Sequence, residues 1–152
     1  YESQGARVGI PGIFTQEGRR VNNLRSGHHY RYIYEVEFYR DCFDVRFGML
    51  IKAMNGTNIG GLGTAKTGGG IRHMRAGSVV QVSFDFNCIA LPGQYFTNVG
   101  CSGRSDGEDT FLHRIVDVAT FRVLPNELLE ARTGYVDIAV ASPCFRIKRA
   151  SA

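Results

Sequence analysis

Long stretches of the chain place an apolar residue at every second position. Residues 30–38 and 80–86 alternate in this way with residues that are mostly polar. Successive side chains of a β-strand point to opposite faces, so a period of two indicates strands with one buried and one solvated face. The same spacing joins Val8 and Ile10; Phe47, Met49 and Ile51; Tyr95, Thr97, Val99 and Cys101; Ile115, Ala119, Phe121 and Val123; and Val136, Ile138 and Val140. About seven or more such strands separated by turn signals predict an all-β antiparallel sandwich.

The length of 152 residues suits a single domain, residues 1–152, with one core. At this size folding buries roughly 68–70% of the unfolded chain's surface, so neither a metal nor a disulfide is needed for stability. Residues 1–7 are polar and lack the features of a signal peptide, and we expect the sequence to be part of a longer protein. Residues 126–132 indicate a helical turn. Residues 56–70, rich in glycine, threonine and asparagine, predict a long surface loop.

The charge and the cysteines exclude some classes and leave others open. The net charge is +4, and basic residues are mixed with acidic ones along the chain, which is not the clustered pattern of nucleic-acid-binding proteins. The cysteines are Cys42, Cys88, Cys101 and Cys144. They contain no CxxC pair and make a poor zinc site. They fit either two disulfides in a secreted domain or free thiols in a reducing compartment.

Three segments suggest catalytic or metal chemistry, and each has a simpler interpretation. In residues 60–67 the Lys-Thr pair follows Ala65 and precedes three glycines, which cannot begin the helix that a phosphate-binding loop requires. His28 and His29 are adjacent on an expected strand, so their side chains point to opposite faces. His113 follows an acidic segment, but no nucleophile is placed beside it. We therefore expect no enzyme activity, no metal and no cofactor.

The polar sides of three strands favour a binding face. The strands around residues 46–52, 96–102 and 112–116 should be neighbours in a Greek-key sandwich. Their outward side chains would be Arg46, Leu50 and Lys52; Phe96, Asn98 and Ser102; and Leu112, Arg114 and Val116. Arginine offers paired donors to carboxylate or phosphate groups, and apolar side chains can cover the C–H faces of a sugar. We predict that Arg46, Lys52, Asn98 and Arg114 bind carbohydrate. An ordinary solvated face and a subunit contact are the alternatives, and the opposite sheet, with Arg31 and Glu35, is the next candidate.

The order of several short motifs resembles one family. The motifs are Phe47-Gly48-Met49-Leu50-Ile51, Asn55-Gly56-Thr57-Asn58, Ala76-Gly77 before Val80-Gln81-Val82-Ser83-Phe84, Leu91-Pro92-Gly93-Gln94-Tyr95, Asn98-Val99-Gly100, Asp106-Gly107, Phe111-Leu112-His113-Arg114, Phe121-Arg122-Val123 and Gly134-Tyr135-Val136-Asp137. In this order they resemble the C-terminal carbohydrate-binding domain of the ATPase subunit of ABC transporters that export O-antigen polysaccharide, the Wzt type. Tyr95 also resembles the tyrosine-corner residue of immunoglobulin-like domains.

The resemblance implies a fold, a ligand and partners. The fold would be an immunoglobulin-like β-sandwich, dimeric through an exchanged C-terminal strand. The ligand would be the non-reducing end of a lipid-linked O-antigen polysaccharide, and its recognition would couple chain completion to export. The partners would be an ATPase domain preceding residue 1 and a transmembrane transporter subunit, at the cytoplasmic side of the inner membrane. The alternative from another class is an extracellular, adhesin-like structural sandwich with two disulfides.

The C-terminal segment bears on the oligomeric state. Residues 134–149 contain an alternating run, then Pro143, which cannot donate to a strand ladder, and then further apolar residues. The polar linker over residues 124–133 contains Pro125 and could carry this strand away from its own sandwich. A strand that leaves its sheet needs another edge for its backbone groups, and an identical protomer supplies one with two-fold symmetry. The alternative is a monomer in which the segment folds back on its own sheet.

Overall fold

The computed structural model describes residues 2–151, in which strands form two facing sheets. The strands are β1 Ala6–Val8, β2 Gly12–Phe14, β3 Arg20–Val21, β4 Asn23–Leu24, β5 His29–Phe38, β6 Cys42–Ala53, β7 Asn58–Gly63, β8 Ile71–Met74, β9 Val79–Asn87, β10 Gly93–Arg104 and β11 Thr110–Val123. A single turn of 3₁₀ helix, Glu127–Leu129, lies within the expected helical segment. The prediction of an all-β immunoglobulin-like sandwich is confirmed.

The long strands occupy the middle of each sheet. In sheet A, β5 lies between β9 on one side and β1 and β2 on the other, and β3 follows β2. In sheet B the order is β4, β11, β10 and β6, and both β7 and β8 pair with the far side of β6. All pairs are antiparallel except β4 with β11. Alternation in β5, β9 and β10 follows the predicted parity, with the apolar set facing the core between the sheets.

Two tyrosines of β5 cross the core and bond to sheet B. The hydroxyl of Tyr32 lies 2.8 Å from the Thr97 hydroxyl on β10. The Tyr34 hydroxyl accepts the N–H of Gly48 and lies within 3.1 Å of the carbonyl oxygens of Gly48 and Gly100. Burial raises the pKa of Tyr32 to about 12 and also raises the pKa of Tyr34, so both stay protonated donors. These contacts fix the spacing and the register between the two sheets.

A third tyrosine fixes the turn into β10. The Tyr95 hydroxyl donates to the carbonyl oxygen of Leu91, four residues upstream, over 2.6 Å. This is the bond that defines a tyrosine corner, as the sequence predicted. Tyr95 also stacks on Phe121 of β11, with ring centroids 5.4 Å apart.

The prediction of a long loop over residues 56–70 is wrong for its first half, because residues 58–63 form β7 along the edge of β6. The glycines that suggested a loop instead permit close backbone approach. A Cβ on Gly61 would lie 2.9 Å from the carbonyl oxygen of Met49, and one on Gly70 would lie 2.5 Å from that of Val45. Only residues 64–70 connect the strands as a loop, here called the 64–70 loop.

One side chain expected on the outer face lies in the core. Leu112 is fully buried, because a bulge in β11 pairs Cys101 with His113 and Ser102 with Phe111. The extra residue on β11 reverses the parity, so Phe111 takes the outward position. Alternation alone could not locate this bulge.

The C-terminal segment forms no strand within the chain. Val136 makes an isolated antiparallel bridge with Ala90, and beyond it the described residues have no regular pairing. Ile138 is 88% exposed and Val140 and Phe145 are at least as exposed, although all three are apolar. The strand expected over residues 134–149 is therefore absent from the isolated protomer, and exchange with a second copy stays a prediction.

Replacing Tyr34 with phenylalanine should lower the free energy of unfolding by about 1–3 kcal/mol, because the partly buried N–H of Gly48 and the buried carbonyl oxygen of Gly100 lose their hydrogen-bond partner. Urea denaturation of both proteins measures the difference. Tyr39→Phe is the matched control, since its hydroxyl lies at an exposed site, where water can replace its contacts with Ser3 and the Gly5 backbone, and its loss should change stability little. Equal stability of Tyr34→Phe and the parent would contradict the role given to the crossing hydroxyl.

Candidate functional site

The outer face of β6, β10 and β11 carries a shallow cleft, as the predicted adjacency of these strands requires. Register pairs set Arg46 opposite Ser102, and Leu50 opposite Asn98. The cleft encloses about 250 Å³. We call it the sheet B cleft; its principal lining residues are Arg46, Gly48, Leu50, Ala65, Asn98, Gly100, Ser102, Phe111 and Arg114.

Paired glycines form the floor of the sheet B cleft. Gly48 of β6 faces Gly100 of β10, so no side chain rises from the middle of the sheet at this point. The Phe111 ring stands beside Gly100, whose Cβ would lie 3.5 Å from it. Directly beneath, the Tyr34 hydroxyl holds the backbone of both glycines from the core side. The floor of the cleft is thus accessible from solvent, and its backbone is held in place by a bond from the core.

Arg46 forms one end of the cleft, and its guanidinium group bonds to other residues of the protein. It is buried, and its guanidinium donates to the Thr67 hydroxyl over 2.6 Å and to the Asp44 carbonyl oxygen over 3.1 Å. It also forms an ion pair with Asp109. The guanidinium therefore joins β6, the 64–70 loop and the segment before β11 into one wall.

Asp44 holds the 64–70 loop against this wall. Its carboxylate accepts the N–H groups of Gly68 and Gly70, each over 2.8 Å. These bonds lower the pKa of Asp44 below its ordinary value, with a further contribution from Arg46. Thr64 adds reciprocal bonds with the backbone of Phe47, both 3.0 Å long. The part of the glycine-rich stretch that does form a loop is consequently fixed to the cleft.

Asn98 lines the cleft floor at the other end. Its Oδ1 accepts the N–H of Asp117, at a bulge where Asp117 adopts a φ of 54°. That bond fixes the orientation of the amide. Among the described residues, no acceptor bonds to the side-chain NH₂ of Asn98. This NH₂ group is not fully buried, so solvent reaches it. It is available to donate to a ligand.

Arg114 extends from β11 over the ring of Phe111. The guanidinium carbon lies 4.9 Å from the ring centroid, a cation–π arrangement that orients the charged group over the cleft. Arg114 pairs in register with Gly100, so its side chain emerges beside the glycine floor.

Lys52 is the predicted residue that the structure places outside the cleft. It lies on the same face, where Nζ contacts the Asp117 carboxylate over 2.6 Å. It therefore reinforces the bulge that holds Asn98. The structure brings Arg46, Asn98 and Arg114 together around one cleft. Alternation in the sequence did not predict that Phe111 lines the cleft, because the bulge in β11 shifts the parity of that strand. It also did not predict that the 64–70 loop is anchored, because a glycine-rich stretch gives no sign of the bonds that hold it.

His113 and the buried cysteines have structural roles. His113 Nδ1 accepts the N–H of Val8 over 2.7 Å, which joins β11 to β1. Burial raises the pKa of Cys88 to about 11 and that of Cys101 to about 12, so these thiols are protonated and unreactive at neutral pH. All four cysteines are free, which does not favour the disulfide-bonded alternative. Residues 2–151 contain no cluster of three metal-ligating side chains, and no helix in that range is both long and apolar enough to cross a membrane.

Comparison with known proteins identifies the class of this sandwich. The family model described as the Wzt C-terminal domain matches residues 1–138. A crystal structure of the C-terminal domain of Wzt superposes with a TM-score of 0.79 at 20% identity, covering 95% of this chain and 87% of that one. The sporulation control protein Spo0M from Bacillus subtilis gives a TM-score of 0.47 at 12% identity, over 80% of this chain and 50% of that one. No curated protein sequence matches the chain.

The fold and the family match place this β-sandwich in the class of domains carried by O-antigen ABC transporters. Within that class, the chain belongs to the Wzt C-terminal domain family.

The anchoring of the 64–70 loop predicts a pH dependence. The pKa of Asp44 is lower in the folded state than in the unfolded state. Its contribution to stability is therefore complete above the unfolded-state pKa of about 3.9 and is lost as the pH falls through the folded-state pKa. Below about pH 4 we expect the amides of Gly68 and Gly70 to lose protection from hydrogen exchange before the core does. Asp44→Ala should produce that loss at neutral pH, and Asp44→Asn, which retains one acceptor oxygen, should produce less. Unaltered protection in Asp44→Ala would refute the anchoring.

Proposed function

We propose that the domain binds the non-reducing terminal end of an O-antigen polysaccharide in the sheet B cleft. The observation that carries the proposal is the combination on one rigid floor of two glycines, an oriented asparagine amide, a serine hydroxyl and a phenylalanine with an arginine over its ring. Family membership supports the ligand class. A shallow, open cleft suits the end of a chain whose remainder extends into solvent.

The polar groups are spaced along one strand. Asn98 and Ser102 point outward from β10 on either side of Gly100. The two residues are four positions apart on an extended strand, which separates them by roughly 13 Å. A single ligand hydroxyl group therefore cannot bond to both. Arg114 and Phe111 stand beside the floor between them. We assign to this set the hydrogen bonds and the apolar contact with the sugar, and to Arg46 and Lys52 the positioning of the set.

Several finer roles follow from the family and form part of the same proposal. Binding of a completed chain end would license its export, so the domain would couple chain completion to transport. An ATPase domain in the same polypeptide and a transmembrane subunit would be its partners, at the cytoplasmic side of the inner membrane.

Arg114→Ala should weaken binding of the cognate polysaccharide by about 1.5–3 kcal/mol, because a hydrogen bond to a charged donor is lost. Asn98→Ala should also weaken binding, since the only amide donor of the floor is removed. Calorimetric titration with native and end-trimmed polysaccharide measures both effects, and the thermal midpoint checks folding. Arg31→Ala on the outer face of sheet A is the matched control; it removes an exposed ion pair with Asp85. Unchanged affinity in the two cleft variants, or a loss in the control, would place the ligand elsewhere.

We also propose that two copies associate through their C-terminal segments. An apolar groove of about 300 Å³ lies between the edge strands β7 and β9, lined in part by Ile51, Ile59 and Phe86. The segment leaves the domain beside this groove, where the Asp137 N–H donates to the Ile89 carbonyl oxygen over 2.7 Å. Apolar side chains directly downstream are exposed in the protomer. A partner's segment would cover the groove and supply backbone partners to an open edge.

Truncation after Ala139 should convert a dimer at micromolar concentration into a monomer, because it removes exposed apolar residues and keeps the Val136 bridge. Light scattering coupled to size exclusion measures the mass. Phe145→Asp with Ile147→Asp keeps the chain length and should have the same effect. A monomeric intact chain would refute the dimer, and a dimer that survives both changes would refute the role of the segment.

A further inference from the structure

A second, basic pocket lies away from the sheet B cleft, at the end of the sandwich where the β2–β3 and β4–β5 turns meet. It encloses about 470 Å³. Its basic lining residues are Arg19, Arg25, His28 and His29, and Glu17 is its one carboxylate. We call it the turn pocket. It shares no lining residue with the sheet B cleft.

The two guanidinium groups of the turn pocket have no carboxylate partner among residues 2–151. The ion pairs of that range involve other arginines, and no hydrogen bond in it engages the guanidinium group of Arg19 or Arg25. By contrast, Arg46 and Arg132 are both satisfied by aspartates within the chain. Unpaired guanidinium groups that share one concave site with two imidazoles form a local excess of positive charge. An anion is the ligand that would balance it.

The backbone of the turn pocket is held in place by its own lining residues. The Arg19 N–H donates to the Thr15 hydroxyl over 3.1 Å, and the Arg25 N–H donates to the Tyr30 hydroxyl over 2.9 Å. The turn that carries His28 is bonded to Cys88, the residue after β9, since the Cys88 N–H donates to the His28 carbonyl oxygen and the Gly27 N–H donates to that of Cys88. Each basic side chain thus starts from a fixed backbone position, which lowers the entropic cost of gathering them around a ligand.

We propose that the turn pocket binds a phosphoryl group. Guanidinium presents its donors in a planar fork that matches two phosphate oxygens, and two such groups can neutralise a phosphate dianion. The surrounding hydroxyl and imidazole groups add further hydrogen-bond donors. The phosphoryl group could be that of a soluble phosphate ester or that of an anionic lipid headgroup, and the chemistry of recognition is the same for both.

Titration of the isotope-labelled chain with inorganic pyrophosphate tests the proposal. At 150 mM salt we expect saturable shifts of the backbone amides of residues 15–30, with a dissociation constant below about 1 mM. Arg19→Ala with Arg25→Ala should weaken binding by at least about tenfold, since two charged contacts are lost. Arg72→Ala is the control, because Arg72 is exposed on β8 and outside the pocket.

The outcomes separate support from refutation. Saturable binding at residues 15–30 that the double variant loses and the control keeps supports the site. Absence of saturable binding, shifts confined to other residues, or an equal loss in the control overturns it. Co-sedimentation with phosphatidylglycerol vesicles, against phosphatidylcholine vesicles, then assigns the source. Vesicle binding lost in the double variant indicates a lipid headgroup, and pyrophosphate binding without vesicle binding indicates a soluble ester. Neither result depends on whether the sheet B cleft binds polysaccharide.

Discussion

The hydroxyl of Tyr34 connects the core of this sandwich to its binding face. It extends from β5 through the core and bonds to the backbone of Gly48 and Gly100. A sandwich packed only by apolar contacts would leave the two sheets free to shift by small amounts, because such contacts are not directional. Here a shift would break buried hydrogen bonds, which is costly. The register of the sheets, and with it the position of the two floor glycines, is therefore fixed from the side opposite the ligand.

The cleft itself depends on departures from regular β-structure. A bulge at Leu112 brings Phe111 to the outer face, a bulge at Asp117 presents its N–H to Asn98, and Asp44, at a φ of 52°, binds the 64–70 loop. Each irregularity leaves backbone groups without ladder partners, and each is satisfied by a nearby polar side chain or loop. A regular sheet would present alternating side chains evenly and would have no recess. The irregular positions concentrate where binding is proposed.

The sequence predicted the sandwich because its signal is distributed over many residues. Alternation over residues 30–38 or 80–86 specifies a buried face regardless of any single position. Three of the four predicted site residues line one cleft. The same alternation that predicts the buried face also predicts which side chains of adjacent strands point outward. The sequence could not locate Phe111, because one inserted residue reverses parity without changing composition. It also misplaced β7, since glycine is compatible both with a turn and with the close approach that Gly61 requires.

The distribution of paired charges distinguishes the two sites. In the sheet B region Arg46 is matched by Asp109 and Lys52 by Asp117, so these two basic side chains are neutralised within the chain. Their role is to hold backbone and loop in place, and the cleft is left with an amide, a hydroxyl and a single guanidinium over an aromatic ring. Such a set recognises hydroxyl groups and C–H surfaces by direction and shape, and it depends little on long-range attraction, which salt screens. The turn pocket has the opposite character, because Arg19 and Arg25 have no carboxylate partner in the described chain. The domain therefore separates a nearly neutral surface suited to sugars from a basic pocket suited to an anion, and the two should differ sharply in their sensitivity to ionic strength.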